Sequence, residues 1–379
     1  MRSLLFNLSC GFCGTSCDIG RVQRRCLACG GPLLADYELS RGTPGLRQVR
    51  SRPPGLLRLP ELAPLRSHHF ASLGEGATPL VPAEGLGVQL DLPHLMIKDE
   101  AQNPAGSWES RGIAMATAHA RELGLGRIKV RSVGDSARAA ACYASLQGLD
   151  LLVELPEDAD EALVHELKES GATVKLVSWA EYQDRSFSGQ DQDDDSHLDL
   201  SAMAEPYRLE GAKTLGFELI YDLGRVPDAV LVPTGTGIGL LAVAKAFDEM
   251  EAMGWIGSVR PKLIAVQAAL FAPLVHAFRK HRESIEPWTR GSHTSVRELR
   301  CSSQATGTLA LAALRHSRGT AIAIEEDQIH EGRSLLRRHL GLGGALATGA
   351  CVSAARRLRQ NGFLRREDLI ILLSPSNRA

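Results

Sequence analysis

The chain has 379 residues, of which 44% are hydrophobic and 23% are charged, a balance that predicts two or three globular domains and excludes collagen-like, coiled-coil and wholly disordered chains. Its formal net charge of −1 provides no overall field for nucleic acid or an anionic membrane. Because no apolar run reaches the ~18–20 residues of a spanning helix and the first residues do not form a signal-peptide core, we expect a cytoplasmic protein with no membrane partner.

Cysteine is concentrated in residues 10–29, which contain five of the eight cysteines. Cys10-Gly-Phe-Cys13 and Cys26-Leu-Ala-Cys29 are two CxxC pairs separated by twelve residues, and this spacing is typical of a zinc ribbon. Four thiolates close a tetrahedral structural site and leave no open position for chemistry. We therefore predict that residues 1–40 form a zinc ribbon with these four ligands, and that Cys17 is a spare thiol. The alternative is that the cysteines stay reduced with nothing bound.

The N-terminal region is also basic, since residues 1–60 carry nine Arg against three acidic residues. Zinc ribbons bind nucleic acid in many settings. A base-stacking surface would need aromatic residues interleaved with Arg21, Arg24 and Arg25, and the sequence has none there. We therefore do not expect nucleic acid to be a partner.

From about residue 74 the chain alternates short apolar strands with helical stretches. The pattern predicts strands at 94–98, 128–132, 150–155, 173–177, 229–232, 262–267 and 369–373, and helices at 110–123, 136–147, 161–170, 213–223 and 240–253. Repeated βαβ units of this length predict an α/β fold with a parallel sheet covered by helices. Residues 184–201 interrupt the rhythm with four Asp within 191–195, which predicts a solvated loop.

The segment Thr234-Gly-Thr-Gly-Ile-Gly239 follows an apolar strand and opens a helix. Backbone N–H groups and a helix N-terminus in this arrangement can surround a phosphate, and glycine permits close approach. The alternative is a tight strand-to-helix turn with no ligand. The segment is neither a Walker loop nor a clean dinucleotide fingerprint.

Four segments together resemble threonine synthase in their order and spacing: GEGATPL at 74–80, KDEAQNPAGSW at 98–108, EPYRLEGAKT at 205–214 and VPTGTG at 232–237. That family belongs to the fold type II enzymes that depend on pyridoxal 5'-phosphate (PLP). The resemblance implies a homodimer of two-domain, parallel-sheet architecture with the cofactor in the cleft and an N-terminal zinc ribbon. It places the large domain at 41–114 and 208–379 and the small domain at 115–207.

The family's cofactor lysine lies in a segment reading Gly-Ser-Phe-Lys-Asp-Arg-Gly, and the corresponding stretch here is Gly106-Ser-Trp-Glu-Ser-Arg-Gly112. Glu109 therefore stands at the lysine position. That lysine forms a Schiff base and shuttles the substrate's α-proton, whereas a carboxylate can accept a proton but cannot form an imine. Lys98 and Lys213 match family lysines that do not form the imine, and the other six lysines fall on predicted strands or helix faces.

The family's Ser-x-Gly-Asn-x-Gly turn, which meets the cofactor ring oxygen and the substrate carboxylate, corresponds to Ser132-Val-Gly134-Asp135-Ser-Ala-Arg138. Asp135 replaces a neutral amide, and an ionised carboxylate only accepts hydrogen bonds. Arg138 adds bulk to a loop that needs close backbone approach.

The substrate-phosphate site has changed as well. The family's Asn-Ser pair is Ala202-Met203, so that Arg208 is the one remaining substrate ligand that the resemblance implies.

Other cofactor positions are kept. The resemblance assigns the cofactor phosphate to residues 235–239, namely Gly235, Thr236, Gly237, Ile238 and Gly239, and it places Ser374 against the pyridine nitrogen. We therefore predict a threonine synthase-like pseudoenzyme with a structural zinc that binds PLP non-covalently or another small phosphate-bearing ligand.

Two alternatives stay open at this point. One is an active, diverged PLP-dependent lyase or synthase of amino-acid metabolism, with Glu109 or Asp135 as general base. The other is an interaction protein in which the ribbon carries the function.

Overall fold

The structure is a computed structural model that describes residues 3–20, 22–40, 42–66, 70–188, 197–288, 294–300, 303–341 and 345–376. Its strands are β1 Leu5–Cys10, β2 Ser16–Cys17, β3 Leu33–Tyr37, β4 Leu80–Pro82, β5 Leu95–Asp99, β6 Arg127–Arg131, β7 Asp150–Pro156, β8 Thr173–Val177, β9 Leu198–Asp199, β10 Ala229–Pro233, β11 Lys262–Ala268, β12 Thr320–Ile324 and β13 Ile370–Ser374. Its helices are α1 Leu46–Arg50, α2 Glu84–Leu90, α3 Glu109–Glu122, α4 Asp135–Gln147, α5 Glu161–Glu169, α6 Trp179–Ser188, α7 Tyr207–Ala212, α8 Thr214–Leu223, α9 Ile238–Ala252, α10 Pro273–Arg279, α11 Gln304–His316, α12 Glu326–Leu340 and α13 Leu346–Gln360.

The N-terminal residues form a small antiparallel sheet in the order β2-β1-β3. Leu8, Leu33 and Ala35 are buried and join a core that continues into the rest of the molecule. This sheet is tied to helix α9, because Lys245 donates a hydrogen bond of 2.8 Å to the carbonyl oxygen of Ala35 in β3.

The largest sheet has six strands in the order β12-β11-β10-β13-β5-β4. Neighbouring strands are parallel except β4, which is antiparallel to β5 at the edge. Strand β5 pairs directly with β13, so this sheet is assembled from distant parts of the chain. The apolar runs at its centre, such as Ala-Val-Leu-Val in β10, are buried on both faces, as covered parallel sheets require.

A second parallel sheet has the order β8-β7-β6-β9 and is formed within residues 127–199. The two parallel sheets confirm the predicted α/β class, and each strand that the sequence pattern predicted is present within two residues of its expected ends.

Helices α3 and α7 cross at very close range, and glycine makes that approach possible. A Cβ on Gly211 would lie 2.0 Å from the carbonyl oxygen of Arg111, and one on Gly112 would lie 2.7 Å from that of Arg208. Residues 110–120 of α3 are buried without interruption. The N-terminal end of α3 is therefore held rigidly beside α7.

The expectation of a solvated loop over residues 184–201 is wrong in part. Helix α6 continues to Ser188, and β9 adds a buried pair of residues at 198–199 to the second sheet. Trp179 and Tyr182, both on α6, stack on each other at 5.5 Å, and Tyr182 is buried, so the start of this helix is packed although the segment that follows it is acidic. The Asp-rich residues 191–195 lie outside the described residues.

Within the described part of the chain, no helix combines the length and the apolar character that crossing a bilayer requires.

Candidate functional site

A cavity of about 120 Å³ lies at the carboxyl ends of strands from both parallel sheets. Arg131 and Asp199 end strands of the smaller sheet, while Pro233 and Pro375 end or follow strands of the larger one, and all four line the cavity. Ligands of open α/β sheets bind at this edge. The charged residues that line the cavity are Glu109, Arg131, Asp135, Arg185, Asp199, Arg208, Arg297 and Glu298.

The Gly-rich turn between β10 and α9 forms one wall. Gly235, Thr236, Gly237, Ile238 and Gly239 all line the cavity, and the fifteen-residue helix α9 begins at Ile238. Gly237 adopts φ +98°, which glycine tolerates without strain. A Cβ on Gly239 would lie 3.2 Å from the Trp108 ring, so a larger residue would be crowded there. Unpaired N–H groups at the start of a long helix suit a phosphate.

A second loop and helix start form the opposite wall. Ser132, Gly134 and Asp135 line the cavity, and helix α4 begins at Asp135. The Ser132 hydroxyl accepts a hydrogen bond of 3.3 Å from the Gly134 amide. A carboxylate in the first turn complements the positive end of the helix. Asp135 therefore weakens the attraction of this helix end for a second anion.

The Glu109 and Arg208 side chains meet in the cavity. Arg208 Nη2 donates to Glu109 Oε2 and, at 3.0 Å, to Ser136 Oγ, while Nη1 donates to the Leu200 carbonyl oxygen. The Arg208 side chain is 5% exposed and the Glu109 side chain is 16% exposed. The α3–α7 crossing brings this pair together from positions 99 residues apart.

Helix α7 is itself fixed at its start by Glu205, whose carboxylate accepts hydrogen bonds from the Tyr207 amide (2.5 Å) and the Arg208 amide (3.1 Å). Burial raises the pKa of Glu205 to about 7, against the lowering influence of Arg208. Ala202 lines the cavity, whereas Met203 is buried in the core at φ +53°. Neither side chain can hydrogen-bond a phosphate.

No lysine is among the described residues that line the cavity. Lys98 is fully buried and pairs with Glu218 at 2.8 Å. Lys213 pairs with Glu249 at 2.8 Å. The remaining six lysines are Lys129, Lys168, Lys175, Lys245, Lys262 and Lys280, and they too lie away from the lining.

Ser374 ends strand β13 and is 3% exposed. Its hydroxyl accepts a hydrogen bond of 3.1 Å from Thr348, and the chain neighbours Ala347 and Pro375 line the cavity. The structure thus brings the expected residues 109, 132–135, 208 and 235–239 to one cavity, with Ser374 beside it.

Several lining residues had no motif to indicate them. Arg131 and Asp199 could have been found from their positions at strand ends, whereas Arg297 and Glu298 follow a region without a sequence signal. Burial, together with the charge of Asp135, raises the pKa of Glu298 to about 7.

The four CxxC cysteines form a separate cluster whose ligand atoms lie within 4.8 Å of one another. Their Sγ separations include 3.4 Å for Cys10–Cys29, 3.6 Å for Cys13–Cys26 and 3.3 Å for Cys13–Cys29. Four sulfurs at ~2.3 Å from a tetrahedral zinc would be roughly 3.8 Å apart. The donor set and spacing are therefore compatible with zinc.

Comparison with known proteins identifies the class. Residues 71–375 match the family described as pyridoxal-phosphate dependent enzyme. The chain is 30% identical over 372 residues to threonine synthase of Methanocaldococcus jannaschii, covering 96% of this chain and 90% of that protein. It is 28% identical to threonine synthase of Methanosarcina acetivorans, covering 98% and 91%. The fold resembles a fungal L-serine ammonia-lyase from Rhizomucor miehei with a TM-score of 0.64 and 17% identity, covering 79% of this chain and 93% of that one.

The chain therefore belongs to the PLP-dependent enzyme family, with threonine synthases among its relatives. The described residues fit PLP in one respect, because the turn at 235–239 suits its phosphate. They do not fit it in another, because no described lining residue supplies an amine for its aldehyde.

Proposed function

We propose that this chain is a threonine synthase-like pseudoenzyme that binds a small phosphate-bearing ligand without forming a covalent link to it. The observation that carries the proposal is the Glu109–Arg208 ion pair inside a cavity whose described lining contains no lysine. On this proposal Glu109 stands at the Schiff-base position of the family and the turn at 235–239 holds the phosphate. Asp135 stands where the family's asparagine meets the cofactor ring oxygen, and Arg208 is a former substrate contact.

Two further points support it. Arg208, the one substrate-phosphate group kept, already donates to Glu109, Ser136 and the Leu200 carbonyl oxygen. Ala202 provides no donor at the position where the family resemblance expects one. A catalytic unit loses most of its rate when one member is removed, so these changes together predict no turnover of O-phosphohomoserine.

The proposal includes the N-terminal cysteine cluster, which we infer to be a zinc ribbon. Its four thiolates close the site, and a structural metal there would hold the two CxxC turns together. A homodimer, a cytoplasmic location and the absence of a nucleic-acid partner remain predictions.

The test is covalent capture. Purified protein incubated with excess PLP is treated with borohydride, digested and searched by mass spectrometry for phosphopyridoxyl-lysine. We expect none in the native chain. Glu109→Lys supplies an amine in the cavity and should give a yellow, reducible adduct at residue 109, still without threonine synthesis. Glu84→Lys, which places a lysine at an exposed position of helix α2 outside the cavity lining, is the matched control and should stay colourless.

A specific adduct on any native lysine would contradict the proposal and would identify the residue that replaces the family's lysine. Turnover of O-phosphohomoserine by the native chain would contradict it as well. If Glu109→Lys folds and remains colourless, the cavity does not hold PLP, and the turn at 235–239 is only structural.

A further inference from the structure

The chemistry of the cavity indicates which end groups its ligand carries, and this step rests on the proposed function. One wall offers backbone N–H groups at the start of helix α9, which suit a phosphate. Glu109 offers a carboxylate in the same cavity. An ionised carboxylate only accepts hydrogen bonds, so the ligand group that meets it must be a donor.

Glu109 has capacity for such a donor. Its Oε2 atom accepts from Arg208, and no described residue donates to Oε1. A carboxylate offers about four lone-pair positions, and a primary ammonium offers three donors. One ammonium can therefore bind Glu109 while Arg208 keeps its place.

An aldehyde is poorly matched to this position. Its oxygen is an acceptor, as is the ionised ring oxygen beside it in PLP, and two acceptors facing a carboxylate leave buried polar groups unpaired. The same ring bearing an aminomethyl group would present a charged donor instead.

The other charges favour a cation as well. Each arginine that lines the cavity already has a carboxylate partner: Arg131 with Glu154 (2.7 Å), Arg185 with Glu181 (2.5 Å), Arg208 with Glu109, and Arg297 with Asp160 (2.9 Å). A second anionic group on the ligand would therefore have to compete for an arginine that is in use.

We infer that the ligand is a phosphorylated pyridine that carries a primary amine where PLP carries its aldehyde, with Glu109 binding the ammonium. The ligand with the amine is preferred because the cavity presents the Glu109 carboxylate where the family has a lysine. Glu109 is then a specificity-determining residue for a ligand held without a covalent bond.

Three probes that differ at one position test this inference: the 5'-phosphates of pyridoxamine, pyridoxine and pyridoxal. Titration calorimetry on the full chain should show the amine binding at least about tenfold more tightly than the aldehyde, with the alcohol between them. Glu109→Gln removes the charge and keeps an acceptor for Arg208, so it should reduce the amine affinity about tenfold and leave the aldehyde affinity nearly unchanged. Glu157→Gln, at an exposed position, is the matched control and should change neither. Thermal midpoints establish that both variants are folded.

Two outcomes would overturn the inference alone. Equal, reversible binding of all three probes would mean that Glu109 does not select the amine, while the proposed pseudoenzyme would stand. Failure of all three probes to bind would mean that the ligand is not a phosphorylated pyridine. A borohydride-reducible adduct of the aldehyde with a native lysine would instead overturn the proposed function, and the inference with it.

Discussion

Arg111 lies two residues after Glu109 on α3, and its replacement should cost the protein a large part of its stability. The guanidinium is fully buried and donates to Glu100 at 2.6 and 2.9 Å and to Glu218 at 2.6 and 2.8 Å. Arg111→Met keeps most of the side-chain volume and removes the charge, which leaves two buried carboxylates without their main partner.

The expected loss in the free energy of unfolding depends on the hydrogen bonds that these two carboxylates keep. Breaking a buried ion pair by removing one partner costs about 3–5 kcal/mol. Glu100 keeps hydrogen bonds from Thr78 (2.5 Å) and Asn103 (2.8 Å), and Glu218 keeps Lys98 at 2.8 Å. These contacts place the expected loss near the lower end, at about 3 kcal/mol.

The matched control is Arg356→Met, which breaks an ion pair of similar geometry on the surface. Arg356 and Glu331 are 29% and 52% exposed and lie 2.5 Å apart, and such pairs contribute about 0–1 kcal/mol. Urea unfolding of both variants, followed by circular dichroism, measures the two losses. If Arg111→Met loses no more than Arg356→Met, the buried network contributes no more to stability than an exposed ion pair.

Three further predictions concern acid stability, metal and packing. Burial would raise the pKa of Glu218, but Arg111 and Lys98 outweigh it and lower the pKa to about 2 from 4.5. This carboxylate should therefore contribute about 3 kcal/mol to the free energy of unfolding above pH ~5, and the contribution should be lost as the pH falls toward 2. In urea titrations, the stability difference between native protein and Glu218→Gln should close over that pH range. Protein never exposed to chelator should contain one equivalent of zinc, lost in Cys26→Ser and kept in Cys142→Ser, and less than half an equivalent in the native chain would refute the ribbon. Gly211→Ala should destabilise by about 1–3 kcal/mol, because its Cβ would lie 2.0 Å from backbone of α3, whereas Gly257→Ala, with nothing within 4 Å, should be close to neutral in the same assay.

The sequence predicted the central α/β elements well, because strong apolar strands alternate with helices that end at glycine. Helices α3 and α8, for example, are followed by Gly124 and Gly224 at φ +73° and +69°. Residues 269–368 received no predicted element, although they contain α10 to α13 and β12. Residues 346–355 of α13 are buried without interruption and are mostly small residues, so few large apolar side chains mark this buried helix in the sequence.

The candidate site was predictable where motifs follow parallel strands, since such strands end at a common edge. That rule places the loop at 132–135 and the turn at 235–239 at the carboxyl ends of β6 and β10. These strands belong to different sheets, so the shared cavity itself was seen only in the structure. The Glu109–Arg208 pair was not predictable, because it depends on how α3 and α7 cross, and no local pattern encodes a contact over 99 residues. Arg297 and Glu298 reach the lining through a short turn with no motif.

The family-like residues of this chain divide by location. Lys98, Arg111 and Lys213 are buried and bound to carboxylates away from the cavity lining, so their presence is explained by stability alone and is not evidence for catalysis. On the proposed function, the residues that have changed are those that face the ligand, Glu109 among them. Glu109 and Arg111 lie on the same turn of α3 and can be separated by their effects. Substitution of Arg111 should mainly lower the free energy of unfolding. Glu109→Gln should mainly change which phosphorylated pyridine is bound, and it should cost less stability than Arg111→Met, because glutamine keeps an acceptor for Arg208 and Arg208 also donates to Ser136 and to the Leu200 carbonyl oxygen.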